Sequence, residues 1–543
     1  MKYQPIIGLE IHVQLKTRSK MFCGCDNRGE DAPPNTTVCP ICMGHPGTLP
    51  VLNDQALHWG ILAGLAIGCE IPAYSKFDRK NYFYPDLPKG YQISQYDLPI
   101  AVGGAVDIEI PGAKETRRAA RIRITRAHLE EDAAKLLHEL PSVIATPSSS
   151  RGEQSPQRSP RASGARDDNS ATYVDFNRAG TPLLEIVSEP DLRTPLEAKV
   201  FLQELRLIMR YLGVSDADME KGHLRCDANI SLQRIDDEGN VIDKGWNPKT
   251  EIKNVNSFRA VERALEYEIE RQTRLFEMNT PPVAQSTRGW DDARGLTLEQ
   301  RVKEAAHDYR YFPEPDLPPL DLVEIAEEMR GKLPELPAAR RRRFVDEYAL
   351  TSADARILTD DPAWADFTER VFSELRAWLV SSNDLEGTDS EIDVKTKDKL
   401  ARLVGGWITS KLMGEMATRA IDIRVLKVTP ENFAEFITLI YQNKIGSAAA
   451  RDILGHMVLR GEDPSQIMED RGLGQIESEE ELGAIVRRVV EHNPNEVARC
   501  AAGDIKLLKF LVGVVMKETE GRANPKVAER LLKDLIEKSG SSR

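Results

Sequence analysis

The opening residues of the chain alternate strictly between apolar and polar positions. Ile7, Leu9, Ile11, Val13 and Leu15 fall on one side of an extended backbone, and Gly8, Glu10, His12 and Gln14 on the other. A period of two predicts a strand over residues 6–15 with one buried and one polar face. The pattern returns three times. In CDANISL, Asp227, Asn229 and Ser231 alternate with Ala228, Ile230 and Leu232. In PLLEIVSEPD, Glu185 and Glu189 share a face opposite Leu184 and Ile186. In RIRIT, Ile122 and Ile124 share a side before the chain runs into His128-Leu129-Glu130-Glu131-Asp132. Any one such strand is accounted for by a solvent face. Four of them predict a sheet whose polar, concave surface can hold a divalent cation and a nucleotide.

Helical periodicity interrupts these strands twice. The segment TPLEAKVFLQELRLIMRYLGVS carries Thr194 as N-cap, Pro195 at the first helical position and Glu197 completing a capping box, and it stops at Gly213. A second helix starts near Ser257 and places Val261, Leu265 and Ile269 on one face. From Leu320 onward helical periodicity dominates. The fold class is therefore α+β: a β-rich cradle domain over residues 1–300, a helical domain over 301–400 and a helical tail domain over 401–543. A Ser/Arg/Pro-rich stretch at 148–170 reads as a mobile insertion, and 381–399 as a polar join.

Composition narrows the picture. A chain of 543 residues exceeds one compact core, which agrees with three domains. No run approaches the ~20 apolar residues of a membrane span, and the N-terminus lacks a secretory pattern, so a cytoplasmic protein with no membrane partner is expected. The formal charge of −13 argues against coating nucleic acid nonspecifically, although a local basic face still serves an RNA enzyme. No P-loop or dinucleotide glycine motif is present, nor a GxSxG nucleophile. Residues 78–95 instead place Arg79, Lys80 and Lys89 among Tyr82, Phe83, Tyr84 and Tyr91. That mixture suits a nucleotide or an RNA 3′ end, or a structural loop. Arg288, in STRGWDD, is an equally ambiguous cation. Four of the seven cysteines, Cys23, Cys25, Cys39 and Cys42, form C-x-C and C-x-x-C pairs in a loop at 23–42. Four soft ligands make a closed structural Zn²⁺ site, with a redox pair as the alternative.

Taken together, IGLEIHVQL (7–15), MGHPGTLPVLN (43–53), YPDLPKGYQISQY (84–96), HLEED (128–132), DFNRAGTPLLEIVSEPD (175–191), RCDANISL (225–232), EIKNVNSF (251–258) and HDYRYFPEPDLPPL (307–320) closely resemble the B subunit of the glutamine-dependent aspartyl/glutamyl-tRNA amidotransferases. The C-terminal FLVGVVMKETEGRANPKV (510–527) resembles that family's tRNA-binding tail. The resemblance implies a heterotrimer in which the A subunit, a glutaminase, releases ammonia from glutamine and the C subunit stabilises the assembly. The B subunit would bind mischarged Glu-tRNA(Gln) or Asp-tRNA(Asn), activate the side-chain carboxylate with ATP, and form the amide. It also implies a Mg²⁺ site of His12, Glu131 (Glu130 as alternative) and Glu185 with Glu10 adjacent, and a substrate pocket containing Lys89 and Tyr91, with Lys80 a further candidate. The four cysteines match the zinc-bearing branch. Two departures stand out: the insertion after HLEED, and Val514 where relatives often carry Gln. Lys506, Lys509 and Lys517 in the tail fall roughly on one helical face, a solvated basic surface that the resemblance turns toward tRNA. A noncatalytic tRNA-binding scaffold is the competing reading.

Overall fold

A computed structural model describes residues 2–111, 119–137, 172–302, 309–381, 389–476, 478–502 and 504–540. The stretch 148–170 and residues 382–388 of the expected polar join lie outside the described residues. The chain divides into two compact units, Met1–Leu336 and Pro337–Arg543.

The first unit is built on a nine-stranded sheet. In chain order its strands are β1 (Lys2–Gln14), β2 (Ala101–Val102), β3 (Ala105–Glu109), β4 (Ala119–Glu131), β5 (Pro182–Ser188), β6 (Leu224–Ile235), β7 (Thr250–Val255), β8 (Ser286–Asp291) and β9 (Leu296–Val302). Across the sheet they run β9-β8-β7-β6-β1-β5-β4-β2, and β3 also pairs with β4. Neighbours are antiparallel except β7 and β8. The opening strand therefore lies inside the sheet, bonded along both edges.

Helices cover one face. In chain order they are α1 (Asp54–Ala66), α2 (Pro195–Tyr211) and α3 (Phe258–Glu277). Thr194 caps α2 by accepting from Glu197 N at 3.1 Å, with Pro195 following it. The Glu197 carboxylate accepts from Arg193 N at 2.6 Å, one residue earlier than a capping box places that bond. Gly213 then turns the chain with φ +68°. Ser257 caps α3 through Ala260 N. Phe201, Leu205, Val261 and Leu265 join Leu9, Ile11, Val13, Leu184, Ile186 and Ala228 in one apolar core. The period of two thus sends every second side chain of the central strands under the helices, and the remainder onto an open polar face.

The first unit runs beyond residue 300. Leu320–Asp321 pairs with Tyr74–Ser75, and Ala326 and Met329 of α4 (Val323–Gly331) enter the same core. The second unit is helical, with one apolar cluster around Phe344, Val404, Phe433 and Phe436 and another around Leu482, Val486, Leu511 and Leu532. Part of the expected polar join is helix: Asp389–Trp407 begins inside it, and Leu400 and Val404 carry its buried stripe onward to Ile408. The helix Ile505–Glu518 buries Leu508, Leu511 and Val515 and leaves Lys506, Lys509 and Lys517 exposed. Among the described residues no helix is long and apolar enough to cross a membrane.

Phe201 is fully buried between α2 and the sheet, so Phe201→Ala is expected to cost about 3–5 kcal/mol, read as a lowered urea midpoint of the first unit.

Candidate functional site

The open face owes its chemistry to register. Arg225, His12, Glu185 and His128 stand side by side across β6, β1, β5 and β4. The next row places Asp227 beside Glu10, with Val187 and Arg126 beyond. Because β4 continues through Glu131, Arg126, His128 and Glu130 share this face. His12 Nε2 lies 3.4 Å from Glu185 Oε2 and 3.6 Å from Glu130 Oε1. His128 Nε2 lies 3.4 Å from Glu185 and 3.9 Å from Glu130. Ser94 Oγ donates to Glu130 at 3.2 Å and fixes its other oxygen.

These groups set one another's protonation. Burial opposes charge on His12, yet Glu185 and Glu130 hold its imidazolium up to about 9. Burial likewise works against ionised Glu185, but His128 and His12 hold its carboxyl well below the usual range. Asp132, just past β4, is buried and held ionised by Arg225 at 2.6 Å and by Arg178. Glu10 goes the other way, pushed up by burial and by Glu185. Glu10, His12 and Glu185 bring ligand atoms within 4.8 Å of one another, as do His128, Glu130 and Glu185. His128 Nδ1 and Asn229 Oδ1 are buried without a hydrogen-bond partner among the described residues. Carboxylate oxygens with one or two imidazoles, partly unsatisfied, form a donor set that fits a divalent cation.

The face floors a cavity of about 670 Å³. Lys80, Lys253 and Arg126 enter it from the sides, beside Tyr309 and Tyr311. Lys253 is paired with Asp227 at 2.5 Å. Lys80 lies 5.3 Å from the Tyr309 ring and makes no ion pair among the described residues. Burial opposes its charge, and Glu130 and Glu185 keep it protonated above the ordinary lysine value. A free ammonium beside a cation site is suited to a phosphate or carboxylate oxygen.

Several expected residues gather elsewhere. Glu131 alternates onto the opposite side of β4 from Glu130, where Lys89 pairs with it and Ile93 N donates to it at 2.9 Å. Glu130, the alternative, is the acid that meets His12 and Glu185. Tyr91 stacks on Arg79 at 4.4 Å, and Arg79 is clamped by Glu314 at 2.7 and 2.8 Å. Arg79, Lys89, Tyr91 and Glu131 line a separate cavity of about 200 Å³ that also reaches Cys42. Glu189 leaves the face because a register shift between Val187 and Ser188 turns it toward Thr125, which donates to it at 2.7 Å. Arg288 pairs with Glu268 and Glu299.

Cys23, Cys25, Cys39 and Cys42 converge with sulfurs within 4.8 Å of one another. The Cys39 N–H donates to Cys42 Sγ at 3.2 Å, and Lys20 Nζ stands 3.9 Å from the same sulfur. A hydrogen bond from Cys23, against the effect of burial, lowers the Cys42 thiol to about 5, while Cys23 is pushed up. Four cysteine sulfurs converging in one loop are the donor set of a soft tetrahedral cation. Gly44 closes this loop against the smaller cavity. Its φ is +69°, and a Cβ there would fall 2.2 Å from Lys89 Cγ.

Strand parity alone points to His128 on the face of Glu130, and to Arg225 and Asp227 on the face of Asn229. The reading of HLEED as a cluster, instead of a continuation of β4, hid it. Lys80, already marked by the cation–aromatic segment 78–95, reaches this cavity, whereas Lys253 and Tyr309 come from other segments and carry no local signal.

The sheet lays carboxylates, imidazoles and cations over one open face, beside a four-cysteine knuckle, an arrangement suited to cation-assisted catalysis. The GatB/GatE catalytic domain matches residues 5–328 and a further GatB domain matches residues 391–536. The chain belongs to the GatB/GatE family. It is 45% identical over 538 residues to the aspartyl/glutamyl-tRNA(Asn/Gln) amidotransferase B subunit of Thermomicrobium roseum, covering 99% of each chain. It is 44% identical to the proteins of the same name from Persephonella marina and Thermotoga maritima, covering 99% of this chain and 100% of each relative. A match to a catalytic domain favours the enzymatic reading over the scaffold.

The two neighbouring acids are expected to separate in their effects. Glu131→Gln leaves the buried Lys89 ammonium unpaired and should cost about 3–5 kcal/mol in chemical unfolding. Glu130→Gln, relieving a crowded set of carboxylates, should cost less than half as much in the same measurement.

Proposed function

We propose that this chain is the B subunit of an aspartyl/glutamyl-tRNA amidotransferase, a ligase that converts glutamate or aspartate esterified to mischarged tRNA into its amide. It works in the cytoplasm with a glutaminase, the A subunit, which supplies ammonia, and with a small C subunit. The observation that carries this reading is the row of His12, Glu185 and His128 with Glu130 in reach, facing a cavity that Lys80 also lines.

The substrate carboxylate is a poor acyl donor because its leaving group would be oxide. One of its oxygens takes the γ-phosphoryl group of ATP, releasing ADP. Ammonia then adds to the acyl carbon, and phosphate departs with the original carboxylate oxygen. His12, Glu130 and Glu185, with Glu10 adjacent, would hold Mg²⁺, which when bound offsets the charge of the transferring phosphoryl group. Lys80 orients a phosphate or carboxylate oxygen. Arg225 and Arg178 keep Asp132 ionised at the edge of the cavity, and Tyr309 and Tyr311 wall it. No protein nucleophile is required by this chemistry, and positioning carries the rate. Cys23, Cys25, Cys39 and Cys42 would hold a structural Zn²⁺ that ties the 23–42 loop. Lys506, Lys509 and Lys517 would meet the tRNA backbone.

With the glutaminase and the small C subunit added, His12→Ala and Glu130→Ala are expected to lower ATP- and glutamine-dependent amide formation at least about 100-fold while tRNA binding persists. Retention of activity in both variants contradicts the site assignment. Purified chain should carry one zinc per molecule by elemental analysis, and Cys39→Ser should lose it.

A further inference from the structure

The open face does not end at the cation cluster. Beyond Glu10 it continues past Gly8 and Ile6 of β1 and Asn229 and Ser231 of β6 into a second groove of about 950 Å³. The two cavities share Glu10, Asn229, Lys249 and Tyr309, so they are one trough with two chemistries. Its first half holds the acids, imidazoles and most of the cations. Its second half is mainly apolar, walled by Val187, Pro190, Trp246 and Val283. The halves meet at Glu10 and Asn229, which line both. Trp246 and Val283 stand at the rim with 72% and 92% of their surface exposed. Exposure of this kind, on a large aromatic beside a reactive cavity, is suited to stacking a nucleobase.

We infer that this groove seats the terminal nucleoside of the aminoacylated RNA, with its base on Trp246 and its esterified amino acid reaching past Gly8 toward His12 and Glu185. The inference rests on the function proposed above and adds where the RNA end lies. Three features favour the RNA end over the adenine of ATP. A glutamate side chain is short, so the ribose that bears it must sit within about two residue lengths of the cation site, where the shared residues lie. The groove itself has one lysine, Lys249, whereas a triphosphate draws on the cations of the other half. Its rim is open, and a free nucleotide is normally engulfed, while an RNA terminus must continue out to solvent.

The test uses the assembled enzyme with its glutaminase and small partner. Trp246→Ala, at an exposed position, is expected to raise KM for aminoacylated tRNA about tenfold, with KM for ATP unmoved and kcat near wild type. Trp246→Phe should restore most of the loss. In equilibrium binding, wild type should prefer uncharged tRNA with its terminal adenosine over tRNA lacking it, and Trp246→Ala should abolish that preference. A rise in KM for ATP with KM for tRNA unchanged assigns the groove to ATP and overturns the inference, as does no change in either. Wild type that binds tRNA in this terminus-dependent way without forming amide contradicts the proposed function and leaves the groove assignment standing.

Discussion

Strand β1 is bonded along both edges, and its period of two cannot be altered without inverting the sheet. Ile7, Leu9, Ile11 and Val13 are all but inaccessible beneath α2 and α3. Their burial stabilises the unit by roughly 1.5–3 kcal/mol for each side chain. A slip of one residue would expose them and bury Glu10 and His12 instead. The apolar face therefore fixes the register, and the register alone sets His12 opposite Glu185 and Arg225. Chemistry on the open face is a consequence of packing on the closed one.

That constraint also explains how so many charges tolerate proximity. Each carboxylate held ionised has a cation or imidazole in the adjoining strand or loop: Glu185 has His12 and His128, and Asp132 has Arg225 and Arg178. Glu10, squeezed between Glu185 and burial, is pushed toward its neutral form. A divalent cation bound on this face would relieve that crowding. On the reverse side of β4, Glu131 pairs with Lys89 and accepts from Ile93 N at 2.9 Å, away from this cluster.

The strands that carry the site were legible because their faces differ so sharply in polarity. Alternation placed Glu10, His12, Glu185 and Asp227 on one face, and the capping pattern placed α2. The choice between Glu130 and Glu131 was equally open to parity, since β4 is a single strand from Ala119 to Glu131. Read as a compact acidic motif, HLEED put Glu131 first with Glu130 as the alternative, whereas in the fold Glu130 is the acid beside His12. Arg79, Lys89 and Tyr91 form a cation–aromatic cluster, but the acids that occupy two of the cations come from elsewhere: Glu314 lies 235 residues from Arg79, and Glu131 lies 42 from Lys89. No local pattern reports such a partner. The bulge that removes Glu189 from the face is similarly a property of pairing rather than of the segment. The cysteine knuckle needed only its spacing.

We propose that the cation belongs on the open face of β1, β5 and β4. Anomalous scattering from Mn²⁺ introduced into crystals of the assembled enzyme tests it most directly. A peak bonded to His12 Nε2 and to carboxylate oxygens of Glu185 and Glu130 is expected. A peak bound instead at Glu131 beside Lys89, or none on this face at saturating Mn²⁺, would contradict it.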